Sequence, residues 1–342
     1  MAVLSALLSL AACSTTPAGV VQGALTGIGS GPGQGAVSAW GLSWSQQVKG
    51  TSASYSPDGS AAGLQAFRNG QAHFAISSAP LAEDEAAAVR GMCTPAGSVS
   101  VAAGVLPVGV AVKIKGVNDL ILDAGTLAGI LQGEITRWND PKLVALNEGT
   151  ALPDLAITVI TEEEASDTTR PINEYLGKDS GTGWNPPTPD RWPSRVEGQT
   201  SSRPLDIADK LDDTNGGLAI LDGSVIGNRF VAVQLVFDGK PRRLQASSVV
   251  DAIATGDVTA TPHAVTQTLD GRSGYALGTV IYVHMCKEYS EPALSRLSRS
   301  FGENVLGEVA QKNANTHAFV MSPSKKAVSE GLAVISTIGD GQ

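Results

Sequence analysis

"ITVITEEEASDTTRPINEYL", residues 157–176, is the stretch whose reading decides the fold. Ile157 to Ile160 form a short β-branched, apolar run of the kind that makes a strand. Pro171 falls early in the helical pattern that follows, where its fixed φ and missing N–H are tolerated. Between them lie the hydroxyls of Ser166, Thr168 and Thr169. Hydroxyls beside the free N–H groups of a helix start, where the dipole favours negative charge, make a place for an anion. The same turn is acidic, with Glu162, Glu163 and Glu164 before it and Asp167 inside it.

Outward from this unit, short apolar runs keep alternating with helical patterns, which is how α/β chains read. Ala72 to Ser78, Gly104 to Ile114, Gly216 to Leu221 and Tyr275 to Met285 read as strands. Ala124 to Gly133 reads as a helix, with Leu127, Ile130 and Leu131 on one face and Gly133 ending it. Residues 180–204, rich in Pro, Gly and Ser, read as a long loop, and 291–313 as one helical stretch. A length of 342 residues exceeds one ordinary core and suggests two domains.

Hydrophobic content of 42% with 17% charged residues describes a folded chain. A net charge of −9 without clustered Lys or Arg argues against a nucleic-acid partner. The densest basic run, Lys240 to Arg243, follows Asp238-Gly239 and reads as a solvated hairpin edge.

The opening "MAVLSALLSLAAC" is a short apolar segment with small residues before Cys13, which reads as an export signal. Its L-A-A-C ending resembles the bacterial lipobox, in which the cysteine is lipidated and becomes the first mature residue; a buried N-terminal helix is the alternative. The first basic residue is Lys49, so the positive start usual in such signals is missing, as a start codon assigned too late would explain. No later run reaches the ~18–20 apolar residues of a membrane span. The expected protein is exported and lipid-anchored to the outer face of the cytoplasmic membrane. Cys93 and Cys286 remain, and in an exported chain they are a candidate disulfide, with two unpaired buried thiols as the alternative.

Catalytic chemistry has little support. Ser322 to Lys325 fits S-x-x-K but contains Pro323 and lacks a partner motif. His73, His263, His284 and His317 are scattered, none with a ligand at metal spacing. No catalytic residue, metal or cofactor is expected. "GIGSGPGQG" (27–35) lacks the G-K-[ST] of a phosphate loop, and is either a backbone nest for a small ligand or a flexible turn. In "YSPDGSAAGLQAFRNG" (55–70), Ser60 is a natural N-cap for the helix it precedes, or a ligand contact.

These segments, in this order, resemble the phosphate-binding protein of bacterial phosphate ABC transporters. "LTGIGSGPG" from Leu25 is similar to that family's L-T-G-A-G-A-T-F opening. Residues 55–81 are similar to its Y-x-x-x-G-S-x-G-G … D-F-G-A-S-D-A-P-L stretch. "LAGILQGEITRWNDPKLVALNEGTALPDLAITVI" (127–160) is similar to its I-x-x-W-N-D-P-x-I-x-x-L-N-x-G-x-x-L-P motif, the most specific match. The resemblance covers roughly residues 24 to 290 and weakens beyond 180. It implies an α/β, two-lobe periplasmic-binding-protein-like fold with a hinge of crossing strands. The lobes would be 24–104 with 262–342 and 105–261, after a signal and tether at 1–23. It also implies a monomer that delivers a small solute, phosphate or a relative, to the permease subunits of an ABC importer.

Carried over residue by residue, the family's ligand set falls on Ser30, Gly31, Ser60, Ser78, Glu162, Ser166, Asp167 and Thr168. The hydroxyls at 60, 166 and 168 are kept. The family's aspartate falls on Ser78, its arginine on Glu162 and a glycine on Asp167. An arginine contact to phosphate is worth about 1.5–3 kcal/mol, and a carboxylate in its place adds repulsion. Tight phosphate binding is therefore expected only if Glu162 turns to solvent or Arg170 or Arg68 supplies the cation. Otherwise the same fold serves a neutral or cationic solute, or a sensor or partner-binding role.

Overall fold

The computed structural model describes residues 21–162, 165–194, 196, 198–201 and 204–339. Cys13 and the expected signal, together with Glu163 and Glu164, lie outside them.

The first three strands are β1 (Gly23–Gly29), β2 (Thr51–Ser56) and β3 (Phe74–Ser77). They run parallel in the order β2-β1-β3, joined by helices α1 (Gln34–Gln47) and α2 (Ser60–Arg68). After the short α3 (Glu83–Ala88), the long β4 (Ser98–Lys113) crosses from one lobe to the other. It begins six residues before the strand read from the sequence. Nearly every residue along it is buried, so no alternation marks its start.

The second lobe continues with β5 (Ile121–Leu122), α4 (Ala124–Leu131), α5 (Pro141–Leu146), β6 (Thr158–Glu162) and α6 (Thr169–Asp179). β7 (Gln199–Ser201), α7 (Pro204–Asp213), β8 (Gly217–Asp222), α8 (Gly223–Ile226), β9 (Val231–Ala232), β10 (Gln234–Phe237), β11 (Lys240–Arg242) and α9 (Ala246–Thr255) follow. The hairpin β10–β11 turns at Asp238 and Gly239, both at positive φ.

The chain then returns to the first lobe through β12 (Val258–Ala260), β13 (Ala264–Gln267) and β14 (Gly278–Cys286). It closes with α10 (Pro292–Leu306), α11 (Glu308–Ala318) and α12 (Lys325–Ser336). The stretch 291–313, read as one helix, is two: it breaks at Gly307, whose backbone is extended. Without a side chain, glycine loses more backbone entropy on entering a helix than any other residue, so the break falls where helix is cheapest to end.

One continuous path of strands, β2-β1-β3-β14-β4-β8-β6-β7, links both lobes. Ser98 to Pro107 of β4 pair antiparallel with β14, and Val108 to Lys113 pair with β8. Each lobe has its own core. Trp40, Trp44, Phe74 and Phe301 centre the first, with Phe301 4.9 Å from Phe74 and 5.2 Å from Trp44 between ring centroids. Leu127, Trp138, Leu176 and Leu218 centre the second. A disulfide joins Cys93 to Cys286 within the first lobe, with Cα atoms 5.1 Å apart.

Candidate functional site

Parallel strands place the helix starts that follow them at one end of the sheet, and here those ends face each other across the two lobes. β2 leads through Gly59 into α2, and β6 leads through residues 165–168 into α6. Gly59 has φ +97°, a conformation open to glycine and rare for other residues. It, rather than Ser60, occupies the cap position of α2. The expectation that Ser60 caps its own helix is therefore corrected: Ser60 is the first helical residue, and its hydroxyl points to the opposite lobe.

What it meets is a carboxylate. Ser60 Oγ donates to Asp167, 2.9 Å from Oδ1 and 2.8 Å from Oδ2. Ser78 Oγ donates to Oδ1 at 2.7 Å. The Ser78 backbone N–H donates to Ser60 Oγ at 3.3 Å, and Arg170 Nε donates to Ser78 Oγ at 3.2 Å. From β14, Thr279 Oγ1 donates to the backbone carbonyl of Asp167 at 3.0 Å. Three side chains of the first lobe thus hold one residue of the second. Asp167 is only 9% exposed in this grip.

Around this contact the second lobe is acidic. Thr168 Oγ1 donates to Asp222 at 3.3 Å, at the end of β8. Burial, then repulsion from Glu162, pushes the Asp222 carboxyl up to about 7. Glu162 is raised too, chiefly by burial, with a hydrogen bond from Ser166 opposing and Asp167 adding repulsion. Ser166 Oγ also accepts from the Thr168 N–H at 3.1 Å. Glu162 has not turned out to solvent.

The other expected residues sit apart. Ser30 is buried, and its Oγ accepts from the Gly33 N–H at 3.4 Å, beside the start of α1. Its carbonyl accepts from Tyr55 OH at 2.7 Å. Gly31 lies in the turn next to it. The Gly31 carbonyl accepts from the Gln34 N–H, so these hydrogen bonds of both residues stay within the first lobe. Of the two cations considered, Arg68 is paired with Glu85 at 2.9 Å on the first lobe's surface, whereas Arg170 stands in the cleft.

Beyond the Asp167 contact the cleft opens into a cavity of 780 Å³, bordered by Ser78, Arg170, Glu174, Tyr175, Thr279 and Tyr282. Among the described residues no cluster of His, Cys, Asp and Glu could hold a metal ion, and no helix is long and apolar enough to cross a membrane. His284 is fully buried between Ser77 Oγ at 2.6 Å and Ser100 Oγ at 2.8 Å, and burial lowers its pKa to about 3, so it is neutral.

Three residues of the site escaped the sequence reading. Asp222 stands one position past the strand read at Gly216 to Leu221, and the end of a strand in an α/β sheet is where such groups gather. Thr279 and Tyr55 carry no local signal, because only the pairing of strands brings them in.

Comparison with known proteins agrees with this architecture. Residues 14–308 match the family profile described as "PBP superfamily domain". Phosphate-binding protein PstS 3 of Mycobacterium tuberculosis (strain ATCC 25618 / H37Rv) is 27% identical over 291 residues, covering 82% of this chain and 77% of the relative. Among solved structures, a putative phosphate ABC transporter substrate-binding protein from Clostridium perfringens, with bound phosphate, matches at a TM-score of 0.61 and 16% identity. It covers 88% of this chain and 99% of the other. An ABC-type phosphate transport receptor from Vibrio cholerae matches at a TM-score of 0.59 and 17% identity, over 88% and 100% of the two chains.

Proposed function

The chain belongs to the PBP superfamily, and from that premise we propose that it is the extracytoplasmic solute-binding component of a phosphate-type ABC importer. Its interlobe cleft would take phosphate or a related oxyanion, and the loaded protein would dock on permease subunits. The observation that carries this reading is the convergence of Ser60, Ser78, Ser166 and Thr168, two from each lobe, at the facing starts of α2 and α6 and the end of β3. A ligand touching both lobes favours the closed form. The relatives' names support phosphate as the solute. Lobe limits of 24–104 with 262–342 and 105–261 belong to the same proposal: β4 exchanging partners between Pro107 and Val108 supports the first change of lobe, while β12, paired with β13 against the first lobe's β4, favours a return a few residues before 262. Lipidation at Cys13, which would anchor the protein outside the membrane, and a monomeric state belong to the same proposal.

A second reading has its own support. Glu162, Asp167 and Asp222 act on one another in the second lobe's half of the site. At ~4 Å and an effective dielectric near ~20, each of these carboxyls opposes an anion by about 4 kcal/mol when it is ionised. The same cleft then suits a neutral or cationic solute, or a sensor or partner-binding role. Equilibrium dialysis with labelled phosphate, chased by unlabelled phosphate, sulfate and a neutral sugar, separates the readings. Weak, saturable binding displaced by phosphate but not by sugar supports the first. No saturable binding up to about 10 mM phosphate excludes it.

A further inference from the structure

We propose that Asp167 is an internal ligand: its carboxylate occupies the interlobe cradle, locks the lobes together without solute, and must be displaced before a free anion can enter. The proposal rests on the oxyanion reading of the cleft given above, but its first half can be read with no solute present.

The hydrogen-bond arrangement is that of a bound anion. Each hydroxyl has one proton to give, and both Ser60 and Ser78 give theirs to the Asp167 carboxylate. The donors are then supported from behind, Ser60 Oγ by the Ser78 N–H and Ser78 Oγ by Arg170 Nε. The chain of donors runs in one direction and ends on the carboxylate, so Arg170 delivers its positive field to Asp167 through Ser78. Thr279 holds the Asp167 main chain in the same place. Ser60 opens a nine-residue helix whose positive end faces the carboxylate. A hydroxylic cradle with a helix start at its back, facing water, would recruit an anion; here a side chain of the other lobe has already filled it.

Tethering makes that competitor strong. A group held on the same molecule acts at an effective concentration of about millimolar or more, without any gain in contact quality. The apparent affinity of a free anion falls by the fraction of molecules whose cradle is empty: if about 1% are empty, it falls about a hundredfold. The device therefore sets a threshold, so that the cleft responds to abundant anion and ignores traces.

The test uses the full chain as wild type, Asp167→Ala, Asp167→Gly and Asp167→Asn. Small-angle scattering without solute reads closure, and titration calorimetry with inorganic phosphate reads affinity. Melting curves identify any variant that fails to fold, and three replacements guard against losing one. The expected result is a compact wild type with no solute, an expanded average form for the Ala and Gly variants, and phosphate bound at least tenfold more tightly by them than by wild type. The Asn variant, which keeps an acceptor but loses the charge, should fall between. If Ala and Gly variants expand yet bind no phosphate, the internal lock is upheld and the oxyanion reading of the cleft falls. If the folded variants stay as compact as wild type without solute, or if wild type binds phosphate as tightly as they do, the internal ligand is overturned.

Discussion

At the scale of single residues, the site is a set of carboxyls whose charges cost different amounts. Asp222, raised from 3.8 to about 7, keeps its proton in the folded chain over a range where the unfolded chain has lost it. Its contribution is therefore fully present below pH 3.8 and is lost as pH rises through about 7. Asp222→Asn keeps an oxygen to accept from Thr168 and removes the titration. The variant's melting temperature should exceed that of wild type at pH 8 by a few degrees and converge with it near pH 4; parallel curves across that range would show that Asp222 is not held protonated. Asp167 differs in its partners, because the first lobe supplies hydrogen-bond donors to its side chain. Removing Ser60 or Ser78 leaves it short of one partner, at about 1.5–3 kcal/mol for a hydrogen bond to a charged group. In a double-mutant cycle of Ser60→Ala with Asp167→Ala, urea unfolding should give a coupling of about 1–3 kcal/mol. Additive losses would mean the two side chains do not meet in solution.

At the scale of elements, α2 shows what the sequence held and what it did not. The strand–turn–helix unit at 157–179 and the helix after Gly59 were legible, because apolar spacing, a glycine turn and a polar helix start are local signals, whereas β2 (Thr51–Ser56), with one large apolar side chain, was not read. Ser60, Ser78 and Asp167 were legible as candidates, but Thr279, which holds the Asp167 main chain, was not. What the two serine hydroxyls do was not legible. Ser60 looks like a helix cap in any window of ten residues, and only the approach of the second lobe gives it a carboxylate 107 residues away. The split of 291–313 at Gly307 was missed for a related reason: apolar periodicity continues across the break, and the packing of α10 and α11 decides it. α2 also carries a prediction that separates propensity from packing. Gly63 lies inside the helix, where alanine is ordinarily better by about 1 kcal/mol. A Cβ there would stand 2.4 Å from the carbonyl oxygen of Ile28 and 2.5 Å from Gly29 Cα, both main-chain atoms that cannot step aside cheaply. Sterics outweigh propensity, so Gly63→Ala should lower stability by about 1–3 kcal/mol in chemical unfolding and loosen the contact that aims Ser60 across the cleft. A gain in stability would show that α2 does not lie this close to β1.

At the scale of the whole molecule, the chain leaves the first lobe, builds the second, and comes back, so the first lobe is made of two distant pieces. The Cys93–Cys286 bond joins those pieces across a separation of 193 residues, and both sulfurs sit among Phe67, Leu81 and Tyr289 beneath α2. A cross-link over so long a loop removes much of the unfolded chain's freedom, about 3–5 kcal/mol by the loop-entropy argument. Most of that should appear as stability of the lobe that carries Ser60 and Ser78, because the return of β14 completes its sheet. Such a bond persists only in an oxidising compartment, so it ties the fold to the proposed place outside the cytoplasm. Two measurements check the point together. Protein taken from the cell envelope of the producing cells should show no thiol accessible to a blocking reagent after unfolding, whereas protein held in the cytosol should show both. The Cys93→Ser, Cys286→Ser double variant should unfold at lower urea than wild type, by about 3–5 kcal/mol when extrapolated to water. Free thiols in exported protein would remove the link between this bond and the compartment, and an unchanged urea midpoint would mean that β14 holds the two pieces together without it.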